Sequence, residues 1–241
     1  STNRRPKNRA LTVGSKNKLR RFKENETFSN VLQPTRETLE KDEFKHKGRW
    51  ATFFQNDHPI VLELGCGKGE YTVYLAQKYP HYNFIGIDIK GARFWRGAKT
   101  ALENQLANVA FVRTQIELVD RLFASQEVDE IWITFPDPQI KFKRTKHRLL
   151  NPTFLDTYNR ILKKEGVIHL KTDSEFLHGY TLGLLQQTSS VILYAHHDIY
   201  RNPHAPEEAV SVQTFYEKQF LEQGKAITYL KFQWRPHGTS S

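Results

Sequence analysis

Residues 60–69 read IVLELGCGKG, an apolar run that breaks into alternating glycines. The run over 60–64 predicts a short buried strand, because a strand covered on both faces is almost continuously apolar. The glycines that follow allow a sharp backbone turn, and a helical pattern occupies 71–79 before Pro80 closes it. A strand that leads through such a turn into a helix is the first half of a βαβ unit.

The alternation of strand and helix continues to the end of the chain. The hydrophobic pattern predicts further strands at 83–88, 109–112, 128–134, 166–171, 191–195 and 226–233, and helices at 91–106, 116–124, 152–163, 174–188 and 211–223. Together these predict an α/β fold with a seven-stranded, mostly parallel sheet and helices on both faces. We expect one domain over 48–236, a basic and flexible arm over 1–47 that holds at most a short helix, and a disordered tail over 237–241.

Charge is concentrated in two places. The 241 residues include 36 Lys+Arg and 26 Asp+Glu, for a net charge of +10. Residues 1–50 hold 14 of those basic residues and 6 of the acidic ones, and residues 141–148 form a second basic cluster without an acid. Two separated basic stretches predict a polyanionic partner and favour nucleic acid, although a basic tail alone could serve solubility or targeting.

Several protein classes are excluded by composition. The single cysteine, Cys66, allows no intrachain disulfide framework, and no apolar run approaches the roughly 18 residues of a membrane-spanning helix. We therefore expect a cytoplasmic protein with no membrane partner. We also expect no metal, because His196, His197 and His204 have no acid or thiol at ligand spacing.

Unusual polar residues cluster where the predicted strands end, and in parallel sheets the ligand site lies beyond those ends. Asp88 follows the second strand, 19 residues after Gly69, where a carboxylate can accept hydrogen bonds from ribose hydroxyls. Asp137 is held between two prolines at the end of the fourth strand, directly before the basic cluster 141–148. That position places the cluster where it can contact phosphates around a target base.

The glycine spacing indicates the cofactor. The turn is G-x-G-x-G, with Glu63 two residues before Gly65, and not the G-x-G-x-x-G of dinucleotide sites. It resembles the S-adenosylmethionine site of class I methyltransferases, in which Glu63 would lie near the ammonium of the cofactor. An ordinary strand–helix turn would explain the glycines but not Asp88.

Five motifs in order make the resemblance specific: LELGCGKG at 62–69, IGID at 85–88, FPDP at 135–138 with the basic residues after it, HLKTD at 169–173, and TFYE at 214–217. Residues 48–234 resemble the bacterial tRNA (guanine-N7)-methyltransferases, which methylate a guanine in the tRNA variable loop. The resemblance implies a Rossmann-like sheet with an antiparallel last strand, S-adenosylmethionine as methyl donor, S-adenosylhomocysteine as product and tRNA as partner. It leaves monomer and homodimer open.

The resemblance also assigns roles by position. It implies Asp137 as the catalytic residue, which also touches the cofactor. The other cofactor-binding positions are Glu63, Gly65, Gly67, Gly69, Asp88 and Gln115, and the substrate-binding positions are Lys141, Lys143, Arg144, Asp173, Thr214, Tyr216 and Glu217. Gln115 replaces the usual acid of the family, and Gln139 stands where the family often has Trp. From the residues alone, Thr214 and Glu217 could equally be a helix cap and its capping-box partner.

Three other functions are compatible with parts of the pattern. A class I methyltransferase could act on another RNA or on a protein. An NAD-linked oxidoreductase is disfavoured by the glycine spacing. A non-catalytic RNA-binding protein with a vestigial fold is disfavoured by the intact acids Glu63, Asp88 and Asp137.

Overall fold

The computed structural model describes residues 13–237 of the chain. The helices are α1 (Val13–Asn25), α2 (Arg36–Glu40), α3 (Trp50–Phe54), α4 (Glu70–Lys78), α5 (Gly91–Glu103), α6 (Pro152–Ile161), α7 (Glu175–Gln186), α8 (Glu207–Val210) and α9 (Phe215–Glu222). The strands are β1 (Val31–Leu32), β2 (Ile60–Leu64), β3 (Asn83–Asp88), β4 (Val109–Arg113), β5 (Val128–Thr134), β6 (Leu162–Thr172), β7 (Val191–His196) and β8 (Thr228–Gln233). Turns of 3₁₀ helix occupy Ile116–Arg121, Phe142–His147 and Ile199–Arg201.

Eight strands of the described chain form one sheet in the order β1-β4-β3-β2-β5-β6-β8-β7. The strand β8 runs antiparallel to both of its neighbours, whereas the other pairings are parallel. The predictions of a mostly parallel sheet and an antiparallel last strand are confirmed. The count of seven is wrong by one, because Val31 and Leu32 pair with β4. Two residues are too few to show a strand period in the sequence.

The chain order of the strands creates a crevice in the middle of the sheet. From β2 the chain moves outward to β3 and β4, then crosses back to β5 on the other side of β2. At such a switch point the connections after the two central strands diverge and leave room for a ligand at their carboxyl ends. The loops after β2 and β5 are the glycine turn and the segment that bears Asp137.

Two apolar layers cover the sheet. One face packs against α2, α3, α6 and α7, with Leu39, Trp50, Leu155 and Leu177 among its fully buried side chains. The other packs against α4, α5 and α8, with Tyr71, Phe94 and Ala209 buried. The two layers confirm the prediction of helices on both faces.

The segment 13–47 differs from the expected flexible arm. Helix α1 lies against α5, where Asn25 donates to the carbonyl of Gly91 at 2.9 Å and Trp95 donates to Glu24 at 2.9 Å. The Arg21 guanidinium lies 4.7 Å from the centre of the Trp95 ring. Polar and cation–aromatic contacts hold this helix, so its sequence shows little apolar periodicity. The rest of the predicted arm, residues 1–12, and residues 238–241 of the predicted tail lie outside the described residues.

Candidate active site

The glycine turn brings the backbone close to its surroundings. Gly65, Gly67 and Gly69 have φ angles of +72°, +55° and +76°, which side chains other than glycine rarely adopt. A Cβ at Gly69 would lie 2.6 Å from the Phe111 ring, so this position also needs glycine for packing. Gly69 therefore shapes the start of α4, while Gly65 and Gly67 line the crevice.

Glu63 is a buried acid at the end of β2. Its side chain is 3 % exposed, and its two carboxylate oxygens accept from Thr72 at 2.7 Å and from Thr134 at 2.5 Å. Burial raises the pKa of Glu63 to about 7, although both threonine hydrogen bonds act in the opposite direction. Thr134 was missed in the sequence, because its partner is 71 residues away.

A first cavity of about 140 Å³ opens beside Glu63. Its lining combines the acids Glu63 and Glu70 with the cations Lys68 and Arg93, and it includes Thr214 and Tyr216 from the late motif. A lining that offers both acids and cations fits the ammonium and carboxylate of an amino acid. Arg93 is exposed on the first turn of α5, a position that no motif indicated.

Asp88 lies at the second cavity. Its two carboxylate oxygens accept from the backbone N–H of Gly67 at 2.9 Å and of Lys90 at 2.8 Å, which fixes the side chain. The cavity, of about 320 Å³, is also lined by Gly65 and Gln115. Gln115 accepts a hydrogen bond from Arg36 of α2. Because both cavities share Gly65, an elongated ligand can occupy them together.

The loop with Asp137 runs from one cavity to the other. Phe135 lines the first and Gln139 the second, and the two have φ angles of +49° and +48°. Left-handed backbone at two such residues costs energy and is typical of functional loops. Asp137 is exposed, and one carboxylate oxygen accepts from the Gln139 N–H at 3.0 Å. This turn holds the carboxylate in place and leaves its second oxygen free of that bond.

The basic cluster separates into two parts. Lys141, Lys143 and Arg144 are exposed, so their charges are accessible to a partner. Arg148 is only 4 % exposed and donates three hydrogen bonds, of 2.9 to 3.2 Å, to the carbonyls of 138–140. Arg148 therefore fixes the backbone of the loop and does not belong to the exposed basic face.

The late motif, TFYE at 214–217, also combines exposed and buried side chains. Thr214 caps α9 by accepting from the Glu217 N–H, while Tyr216 is 40 % exposed at the first cavity. The Glu217 side chain is completely buried and pairs with Lys171 at 2.7 Å. It therefore does not reach a substrate surface. Asp173, which follows β6, pairs with Lys225 at 3.3 Å.

Comparisons with known proteins show the family of the chain. A family model described as "Putative methyltransferase" matches residues 57–230. A tRNA (guanine-N(7)-)-methyltransferase from Christiangramia forsetii is 69 % identical over 91 % of this chain and 99 % of its own length. The chain belongs to the tRNA (guanine-N7)-methyltransferase family. A relative with the same name from Porphyromonas gingivalis is 51 % identical over 86 % of this chain and 85 % of its own.

Solved structures outside the family share its fold. The 16S rRNA methyltransferase KamB superposes with a TM-score of 0.58 at 14 % identity, covering 78 % of this chain and 94 % of its own. A 16S rRNA (adenine(1408)-N(1))-methyltransferase from Catenulisporales acidiphilia gives 0.57 at 14 % identity, covering 79 % and 94 %. At this identity the likeness is one of fold alone.

The described part of the chain contains neither a metal-ligating cluster nor a membrane-spanning helix. Between residues 13 and 237, no group of three or more His, Cys, Asp or Glu side chains is placed to hold a metal ion. Nor does this part of the chain contain a helix long and apolar enough to cross a membrane.

Proposed function

We propose that this chain is a cytoplasmic enzyme that transfers a methyl group from S-adenosylmethionine to N7 of a guanine in the variable loop of tRNA. The names of its relatives support the reaction and the substrate class. The observation that carries the proposal is the pair of cavities that share Gly65, with the Asp137 loop running between them.

The residues of the crevice fit the methyl donor. Glu63 would pair with its ammonium and Arg93 with its carboxylate in the first cavity, while Gly67 leaves room for the backbone to approach. Asp88 would accept from the ribose hydroxyls, and Gln115 would hydrogen-bond the adenine in the second cavity. When bound, S-adenosylmethionine supplies a methyl group attached to a positively charged sulfur.

Little acid–base chemistry is required of the protein. Guanine N7 carries a free lone pair, so it forms the new N–C bond without losing a proton while the C–S bond breaks and sulfur keeps the electron pair. Alignment of N7 with the methyl carbon is then the main source of acceleration. The methylated ring becomes positively charged, and the Asp137 carboxylate would offset that charge and help hold the base.

The RNA would be held by residues around this centre. Lys141, Lys143 and Arg144 would contact phosphates next to the target base. Asp173, Thr214 and Tyr216 would contact the nucleotide itself, and Glu217 would act through Lys171 by fixing the start of α9. The N-terminal cations would add affinity without sequence selection.

The test is methyl transfer to an unmodified tRNA transcript, followed by mapping of the modified base. The proposal predicts one N7-methylguanine in the variable loop, and a transcript with adenosine at that position should accept no methyl group. Methylation of ribosomal RNA or protein instead would show another substrate, and cofactor binding without any transfer would favour the non-catalytic alternative.

A further inference from the structure

Phe142 is the most exposed large apolar side chain among residues 13–237. It is 93 % exposed, and the next in rank, Val13, is 77 % exposed and opens α1. Phe142 lies within the 3₁₀ turn Phe142–His147, five residues after Asp137. An exposed apolar side chain is unremarkable by itself, so its setting decides what it can bind.

The backbone that carries Phe142 is tightly held. Arg148 binds the three carbonyls of 138–140, and its guanidinium lies 4.9 Å and 4.7 Å from the ring centres of Phe176 and Tyr180. The Thr145 hydroxyl donates to the carbonyl of Phe142 itself at 2.6 Å. The ring therefore lies on an ordered, hydrogen-bonded turn and not on a flexible loop.

Exposed cations flank Phe142 along the chain. Lys141, Lys143, Arg144 and Lys146 are exposed, and no acid occurs in the sequence between Asp137 and Asp156. None of the four forms an ion pair with another residue of the described chain. An apolar partner surface would have to desolvate these charges, whereas single-stranded RNA offers phosphates for the cations and a base for the ring.

We infer that Phe142 is a stacking platform for an unpaired nucleobase of the RNA, next to the base that is methylated. This rests on the proposed function for the identity of the RNA. A base inside a duplex has both faces covered by its neighbours, so the base on Phe142 must be unpaired and turned out of the stack. Stacking on an aromatic ring does not depend on base identity, so the contact positions the RNA rather than reading its sequence.

The test is equilibrium binding of tRNA without cofactor, as a function of salt, for Phe142→Ala and Phe142→Trp. Loss of one stacked base should weaken binding by the alanine variant roughly five- to a hundredfold. The slope of log K against log salt should stay unchanged, because no charge is lost. The tryptophan variant should bind at least as tightly as the native protein. Lys143→Ala is the matched control: it should lower the slope by about one phosphate contact.

Three outcomes would overturn the inference. Phe142→Ala could bind tRNA as tightly as the native protein, or Phe142→Trp could bind it more weakly than the native protein. Phe142→Ala could also change the mass of the particle in light scattering. The last would show that the ring lies in a contact between copies. Leu193→Ala, a half-exposed apolar change on β7, controls for unspecific effects. Since binding is read without methylation, a failure of methyl transfer by the native protein would affect the proposed function and leave this test intact.

Discussion

Glu63 links the stability of the protein to the first cavity, since burial raises the pKa of this carboxyl from 4.5 to about 7. Below pH 4.5 the carboxyl holds its proton in both folded and unfolded chains, and above pH 7 it holds it in neither. Between these values the folded chain binds more protons, so the free energy of unfolding falls as pH rises. Relative to Glu63→Gln, the native protein should lose on the order of 3 kcal/mol across this window.

Urea denaturation of both proteins at half-unit steps from pH 4.5 to 7.5 measures this difference. An ammonium bound beside Glu63 would favour the carboxylate and lower its pKa in the folded protein. Adding S-adenosylhomocysteine should therefore move the fall in the free energy of unfolding to lower pH. A difference between native protein and Glu63→Gln that is constant with pH would contradict the assignment of the raised pKa.

Asp137 is expected to act on the reaction and not on cofactor binding. It is exposed and held by one turn, so neither Asp137→Ala nor Asp137→Asn should alter the fold. Both variants lack the negative charge that offsets the methylated guanine, and we expect turnover to fall at least a hundredfold. Affinity for S-adenosylhomocysteine, measured by calorimetry, should stay within a few fold. Native turnover by either variant would remove Asp137 from the mechanism.

At the scale of elements, the buried pair of Lys171 and Glu217 joins the end of β6 to the first turn of α9. Both side chains are fully buried, and Glu217 also accepts from the Tyr200 hydroxyl at 2.5 Å. Burial lowers the pKa of Lys171 and raises the pKa of Glu217, while their mutual attraction opposes both shifts. The pair therefore fixes α9, with Thr214 and Tyr216 on it, relative to Asp173.

Removing one partner should cost more stability than removing both. Glu217→Leu leaves a buried lysine without its counter-ion and should lower the free energy of unfolding by roughly 3–5 kcal/mol. The double variant Lys171→Met/Glu217→Leu should recover much of that loss. A double-mutant cycle by urea denaturation measures the coupling, and strictly additive single effects would show that the pair does not stabilise this junction.

The same junction shows what sequence reasoning could and could not reach. Glycines 65 and 67, Asp88 and Asp137 were predictable, because each lies at a strand end within a short recognisable motif. The burial of Glu217 was not, because its partner Lys171 is 46 residues away and its spacing to Thr214 equally suits a capping box. The burial of Arg148 was not predictable either. Its partners are backbone carbonyls, which every residue carries, so the sequence grouped it with the exposed cations.

Element boundaries follow a similar rule. The strand at 60–64 was predicted to the residue, since its apolar run is bounded by Pro59 and Gly65. Helix α1 and strand β1 were not placed, because their contacts with α5 and β4 are partly polar and distant in sequence. Local patterns therefore give the core of the sheet, and long-range polar contacts decide its N-terminal edge.

At the scale of the whole molecule, two basic surfaces lie on elements that connect to helices on opposite faces of the sheet. Helix α1, with Lys16, Lys18 and Lys23 exposed, covers α5 on one face. The turn 142–147 leads into α6, which packs on the other. A ligand that contacts both must extend around the carboxyl edge of the sheet, past the crevice. A folded tRNA is large enough to do so, whereas a short single strand held at the crevice is not.

Salt titrations of binding can separate these surfaces. Neutralising Lys16, Lys18 and Lys23 to glutamine should lower the slope of log K against log salt by up to about two to three for tRNA. Neutralising Lys141, Lys143 and Arg144 should lower it by a similar amount, and the two sets should add because they are independent phosphate contacts. Lys163→Gln/Lys164→Gln, at the opposite edge of the sheet, is the control and should change the slope little.

A short oligonucleotide with the sequence of the variable loop supplies the decisive contrast. For this oligonucleotide, the slope of log K against log salt should fall when Lys141, Lys143 and Arg144 are neutralised. Neutralising the lysines on α1 should leave the slope unchanged, because the oligonucleotide cannot reach around the edge of the sheet. Equal sensitivity of the oligonucleotide and the whole tRNA to both sets would mean that one surface, and not two, holds the RNA. If neutralising the lysines on α1 changes the slope for neither the tRNA nor the oligonucleotide, the charge of α1 only keeps the protein soluble.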